Sequence, residues 1–199
     1  MVLLAVNAGN LIMGPARMYV APFGSTEPLD STVTPNGTIT PPSAPWVDAG
    51  GTSGGVTYEV DNTYTDLEVD QIIMPVGARL TAMKMTVTTK MAELTLANLN
   101  TALNSVATIA VNSGYTTWDI NVGSSATQPT YAALILDGWA PTLPSSAPAL
   151  RRIIVRKVLS QAKATLAYDK KTQQSLDVTF QAYYVSSTIV PVHGIDQTA

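Results

Sequence analysis

Across positions 80–90 the chain alternates. Met83, Met85 and Val87 fall on one side of an extended backbone, and Lys84, Thr86, Thr88 and Lys90 on the other. Successive side chains of a strand point to opposite faces, so this period of two fits a strand half buried against a core. Shorter segments of similar character recur at 16–21, 56–60, 67–70, 107–111, 117–122, 131–136, 152–159, 164–168 and 176–185. A single helix is expected at about 92–103, where Leu96, Leu99 and Leu103 stand at helical spacing. Glu93 would lie in its first turn, where the helix dipole favours an anion. About nine strands with one helix predict a mainly β fold, a β-sandwich or barrel with one flanking α-helix. A length of 199 residues fits one domain over 1–199.

The segment at about 25–55 is different. Pro28, Pro35, Pro41, Pro42 and Pro45 are interspersed with Ser, Thr, Gly and Asn. Proline removes ladder donors and the other residues favour turns, so a long Pro/Gly/Ser-rich loop or arm is expected there.

Charged residues are only 13% of the chain against 46% hydrophobic ones, about half the ~25% charge of an average soluble protein. A surface this poor in charge suits a protein that hides area in permanent contacts, so an oligomer is expected. The 14 acidic residues outnumber the 11 basic ones, the reverse of a general nucleic-acid binder. No stretch approaches the ~18 apolar residues of a membrane span, and the opening residues lack the charged start of a secretion signal. A soluble protein made in a cytoplasm, with no membrane partner, is expected.

Catalytic and metal-binding patterns are sparse. Gly51-Thr52-Ser53-Gly54-Gly55 has the spacing of a nucleophile elbow, and His193, the single histidine, lies near Asp196. An elbow needs a strand before the serine and a helix after it, whereas here a proline-rich stretch precedes and a β-like segment follows. With no cysteine, there is no thiolate nucleophile, disulfide framework or Cys-based zinc site. The acidic residues lack the spacing of a calcium loop. No phosphate-binding or dinucleotide fingerprint occurs. A non-enzymatic protein with no cofactor is expected.

The arrangement of charge is more informative. Between Arg17 and Arg79 stand Glu27, Asp30, Asp48, Glu59, Asp61, Asp66, Glu68 and Asp70, with no Lys or Arg. From Arg151 to Lys171 stand Arg151, Arg152, Arg156, Lys157, Lys163, Lys170 and Lys171 against Asp169 alone. Two arrangements fit. Either the blocks are paired or solvated within one fold, or the acidic block of one subunit faces the basic block of the next. Contacts of the second kind build rings or filaments. Glu59, Asp61, Asp66, Glu68, Asp70, Arg151, Arg152, Arg156 and Lys157 are therefore the candidate interface residues. Reversing Arg152 and Arg156 to Glu would then impair assembly and leave the monomer folded. A nucleic-acid patch fits the basic block less well, because it sits in Ile/Val strand sequence without interleaved aromatics.

The order of segments resembles the tail tube (major tail) proteins of long, non-contractile-tailed bacteriophages. The similarity runs through Gly14-Pro15-Ala16-Arg17-Met18-Tyr19-Val20-Ala21-Pro22-Phe23-Gly24-Ser25, then Trp46-Val47-Asp48-Ala49-Gly50-Gly51-Thr52-Ser53-Gly54-Gly55-Val56. It continues in Leu67-Glu68-Val69-Asp70-Gln71, the helical Ala92-Glu93-Leu94-Thr95-Leu96-Ala97-Asn98-Leu99 and the closing Leu176-Asp177-Val178-Thr179-Phe180-Gln181-Ala182. The resemblance implies hexameric rings stacked into a tube, a place in the virion tail, and tape-measure, tail-terminator and baseplate proteins as partners. It also implies DNA passing through without specific binding. It leaves the acidic residues two places, the lumen or a loop reaching the adjacent ring. The proline-rich stretch is longer than the family pattern. Other ring-forming tail components (a terminator or distal-tail protein) and secretion-tube subunits share these features. A monomeric β-sandwich binding module is the alternative of another class. The scattered Trp46, Trp118 and Trp139 do not favour it.

Overall fold

A computed structural model describes residues 10–34, 38–120, 128–141, 149–161, 163–166, 168, 170–171 and 173–197. Twelve strands and one helix follow in order: β1 (Arg17–Pro22), β2 (Val33–Thr34), β3 (Thr38–Ile39), β4 (Val47–Asp48), β5 (Thr52–Val69), β6 (Ile72–Met91), α1 (Leu96–Ala102), β7 (Ala107–Asn112), β8 (Tyr115–Ile120), β9 (Ala132–Ala140), β10 (Ala149–Ser160), β11 (Leu176–Ala182) and β12 (Val192–Asp196). The fold is mainly β with one helix, as the alternation predicts.

The main antiparallel sheet runs β4-β1-β9-β10-β11-β6-β5, with β12 also paired to β10. Its two ends are close in sequence: β4 stops at Asp48 and β5 starts at Thr52. Laid flat, six inter-strand spacings of ~4.8 Å would separate these ends by about 29 Å. Four Cα–Cα steps of 3.8 Å reach about 15 Å at most. The sheet therefore curls towards closure, and its concave side encloses the core. Gly50, at φ +79°, makes the corner, and a Cβ there would collide with the Glu93 carboxyl.

Alternation selects the inward residues. Met18, Leu134, Leu136, Val155, Val158, Leu176, Val178, Phe180, Val87 and Met91 form the inner core, and Leu99 and Ala102 of α1 plug it. A register shift between Val155 and Val158 lets both point inward despite their odd spacing. Thr95 caps α1, its hydroxyl accepting from the Asn98 N–H at 3.1 Å. The helix is thus shorter than 92–103. Glu93 precedes it and instead accepts from the Gly51 N–H at 2.8 Å.

The outward face of the same strands carries a second cluster: Tyr19, Ala21, Ala133, Ile135 and Ile154, covered by Trp46. This explains the proline-rich segment. It is a strap laid over the convex face of the sheet, with β2 and β3 as a small ladder and a 3-10 turn at Asp30–Thr32. The Trp46 indole N–H donates to the Thr26 carbonyl at 2.8 Å.

Three further expectations change. The segments expected at 56–60 and 67–70 are one continuous strand, β5, paired along its length with β6. The described part of 164–168 is not a strand; β10 ends at Ser160 and pairs with β11 only over Val158–Ser160. The C-terminal β12, which is not among the expected strands, is a full partner of β10 from Arg151 to Val155. Of the 117–122 strand, positions 121 and 122 lie outside the described residues.

Candidate assembly surfaces

The basic block is largely consumed within the chain. On β10, Arg152, Ile154 and Arg156 alternate onto the outward face, under the strap. Arg152 is fully buried and gives Nε and Nη2 to the two Asp137 carboxylate oxygens at 2.7 and 2.6 Å. Its remaining donors reach the Thr32 hydroxyl at 2.9 Å and the Thr40 carbonyl at 3.0 Å. Arg156 binds both Glu27 oxygens, at 2.5 and 2.9 Å, and the Val190 carbonyl at 2.7 Å. The Glu27 hydrogen bond is the main cause of the raised Arg156 pKa. His193 Nε2 lies 3.2 Å from Asp30 Oδ1. These three side chains pin the strap. Arg151 forks onto Asp196 at 2.6 Å twice, which fastens β12 to β10. Lys157 stands over the Tyr131 ring at 4.4 Å and the Phe23 ring at 5.4 Å.

Within one fold, then, Arg156 meets Glu27 of the acidic block, while Arg151 and Arg152 use acids outside it. Arg152 has no surface to offer another subunit. The double reversal to Glu would bury a carboxylate beside Asp137 and unseat the strap, so an unaltered monomer is not the expected outcome.

The acidic residues lie elsewhere. Beyond the Gln181–Thr86 pair, β6 bonds only to β5. From Thr86 to the tip at Ile72 is 14 residues, about 45 Å of strand at ~3.3 Å per residue. Every residue from 59 to 84 is exposed. Glu59 and Asp61 pair across the ladder with Thr86 and Lys84 on one face. Asp66 and Glu68 alternate onto the opposite face, and Asp70 forms the turn with Gln71. None of the five makes an ion pair among the described residues.

Apart from these two and Asn62, the face of Asp66 and Glu68 is apolar. It continues the inward face of the barrel: Val87 is buried, Met85 is half-buried, and Met83 beyond it is 49% exposed. Thr81, the extra residue between the Thr63–Ala82 and Tyr64–Leu80 pairs, keeps the pattern in phase. Tyr64 and Leu80 face each other on this side, 60% and 44% exposed, with Val60 below them. At the tip Ile73 is fully open and Met74 largely so. Cross-strand pairs of this kind normally sit against a core, yet no described segment of the chain covers these.

The residues of the elbow-like string do not form a catalytic constellation. Ser53 sits at the start of β5 with strand after it, His193 meets Asp30, and Asp196 is held by Arg151. Among the described residues no group of three acidic or histidine side chains is placed to hold a metal ion, and no helix is long and apolar enough to cross a membrane. Comparison with known protein families and with curated proteins returned no match.

Proposed function

We propose that this chain is a structural subunit that assembles with copies of itself into hexameric rings stacked as a phage-type tail tube, a conduit for DNA in the virion tail. The observation that carries self-assembly is the uncovered apolar face of the β5–β6 hairpin. A face built with the alternation of a buried strand, and left open by its own chain, gains stability only when another molecule covers it. Stacked copies would also protect the free outer edge of β5, the exposed liability of a sheet protein. The specific architecture rests on the segment order described above and on the curled sheet with its single helix. The hairpin's five acids against Arg79 and Lys84 suit a tube that lets a polyanion slide past without gripping it. Tape-measure, terminator and baseplate proteins would be the partners at its ends.

Negative-stain electron microscopy of concentrated protein at moderate salt tests this directly. Hollow tubes or stacked six-fold rings are expected. Closed rings that never stack would instead favour a terminator-like or distal-tail component. A sample that stays monomeric by sedimentation at every concentration would overturn self-assembly and return the monomeric binding module.

A further inference from the structure

The strap's β3 borders a cavity of about 440 Å³ on the outward face of the sheet, a size in the range of small-molecule sites. Ile39 of β3 forms one wall, and Trp139 and Leu150, register partners on β9 and β10, form others. Beside them, three outward-facing residues make one row across the ladder: Arg17 of β1, Asp137 of β9 and Arg152 of β10. Arg152 takes both Asp137 oxygens. Arg17 is exposed and makes no ion pair or hydrogen bond among the described residues. The row therefore holds two guanidinium groups and one carboxylate, and it leaves one positive charge at the cavity. Of the residues that line it, only Arg17 and Asp137 are charged.

Tyr19 is a second, independent signal. It is only 5% exposed and lines the same cavity. A buried phenol ordinarily finds a hydrogen-bond partner, yet this hydroxyl has none among the described residues and is not sealed from solvent. The Trp139 ring is fixed in place by the backbone at Gly14, where a Cβ would lie 2.2 Å from the indole. We infer that the cavity binds a small monocarboxylate with a planar apolar body. Its carboxylate meets the Arg17 guanidinium and the Tyr19 hydroxyl, and its body packs among Trp139, Ile39 and Leu150. The planar fork of a guanidinium matches two carboxylate oxygens, and a fixed indole favours a flat partner. A single surplus charge with the Asp137 carboxylate beside it selects a monoanion over a phosphate dianion. The site uses none of the residues that carry the proposed self-assembly, so it stands or falls by itself.

Equilibrium dialysis of the full-length protein against phenylacetate tests the assignment. Saturable binding with a Kd of about 1 mM or tighter is expected for a ligand of that size. Arg17→Gln removes the charge-assisted hydrogen bonds and should weaken binding about tenfold or more. Arg17→Lys should recover part of that loss. Because Arg17 has no partner to lose, the unfolding midpoint of both variants should match the parent. Tyr19→Phe deletes only the hydroxyl and should weaken binding several-fold. Neutral phenylacetamide and dianionic phenyl phosphate should each bind more weakly than phenylacetate. No saturation by phenylacetate, or an affinity that Arg17→Gln leaves unchanged, would overturn the site. An amide that binds equally well would overturn the need for an anion. Tighter binding of the phosphate ester would overturn the monocarboxylate as the ligand class.

Discussion

Arg152 of β10 and Asp137 of β9 are register partners across the ladder, and their side chains close a two-point ion pair that solvent does not reach. Desolvating two charges is expensive, so this pair is worth little net relative to apolar residues of the same shape. Removing one partner is different, because the other is left charged and buried. Arg152→Ala or Asp137→Ala alone is expected to cost about 3–5 kcal/mol. The joint Arg152→Met/Asp137→Leu change should cost clearly less than either single change. Urea unfolding of the four proteins measures this, and additive losses would show that the two charges are not coupled.

The strap depends on Trp46 more than on its surface ion pairs. The ring closes the outer cluster and is 93% removed from solvent, being only 7% exposed. Trp46→Ala is expected to cost about 3–5 kcal/mol, as for other buried aromatic truncations, and to open the 25–45 segment to limited proteolysis. Glu27→Gln weakens a partly exposed pair with Arg156. It should cost no more than about 1 kcal/mol, leaving cleavage slow. Equal cleavage rates in the two variants would mean that the ion pairs, not the indole, hold the strap.

The sequence showed these arrangements unevenly. The alternation of Met83, Met85 and Val87 was legible because a period of two has one meaning in an extended chain. What it could not say is that only Val87 and the residues after it meet the chain's own core. The β5–β6 hairpin was read in pieces because Asn62, Thr63, Thr65 and Asp66 have turn-like polarity, and Asp70-Gln71 is not a strong turn signal. β12 was hidden by Pro191 and Gly194, which usually end strands; here β10 supplies the partner. The strap's lack of long strands was visible in its prolines, but its seat on Ile154 and Arg152 depends on strands more than a hundred residues away. Arg151, Arg152 and Arg156 looked like a surface block because charge in a sequence carries no partner. The acidic residues kept their place at the surface because none of their neighbours on the hairpin folds back over them.

Arg151 and Asp196 tie β12 to β10, and their link gives the fold an acid-sensitive edge. The hydrogen bonds from Arg151 hold the Asp196 carboxyl below its ordinary value of 3.8, outweighing the opposing effect of burial. A carboxylate with a depressed folded-state pKa contributes stability that is present above the unfolded pKa. That contribution is lost as pH falls through the lower, folded-state value. The window is therefore below about pH 4. Amide exchange at Ile195, whose strand carries Asp196, should quicken in that range before the inner core loosens. Asp196→Asn should show the faster exchange already at neutral pH and lose most of the acid dependence. Unchanged protection of Ile195 in that variant would show that the β12 ladder stands without the ion pair.

Tyr64 and Leu80 separate folding from assembly, because they pair with each other but with nothing beneath them. Replacing both with Ser removes one exposed cross-strand pair, worth up to about 1 kcal/mol, so the unfolding midpoint should barely move. If the strip is covered in the assembly, each residue loses about 1.5 kcal/mol of burial or more. The critical concentration for pelleting should then rise by about tenfold per residue. Glu59→Gln, on the opposite and polar face of the same hairpin, should leave it unchanged. The decisive measurement is pelleting of the three proteins across a concentration series alongside their unfolding curves. A Tyr64→Ser/Leu80→Ser protein that pellets like the parent would mean that the open apolar face is not the one that another copy covers.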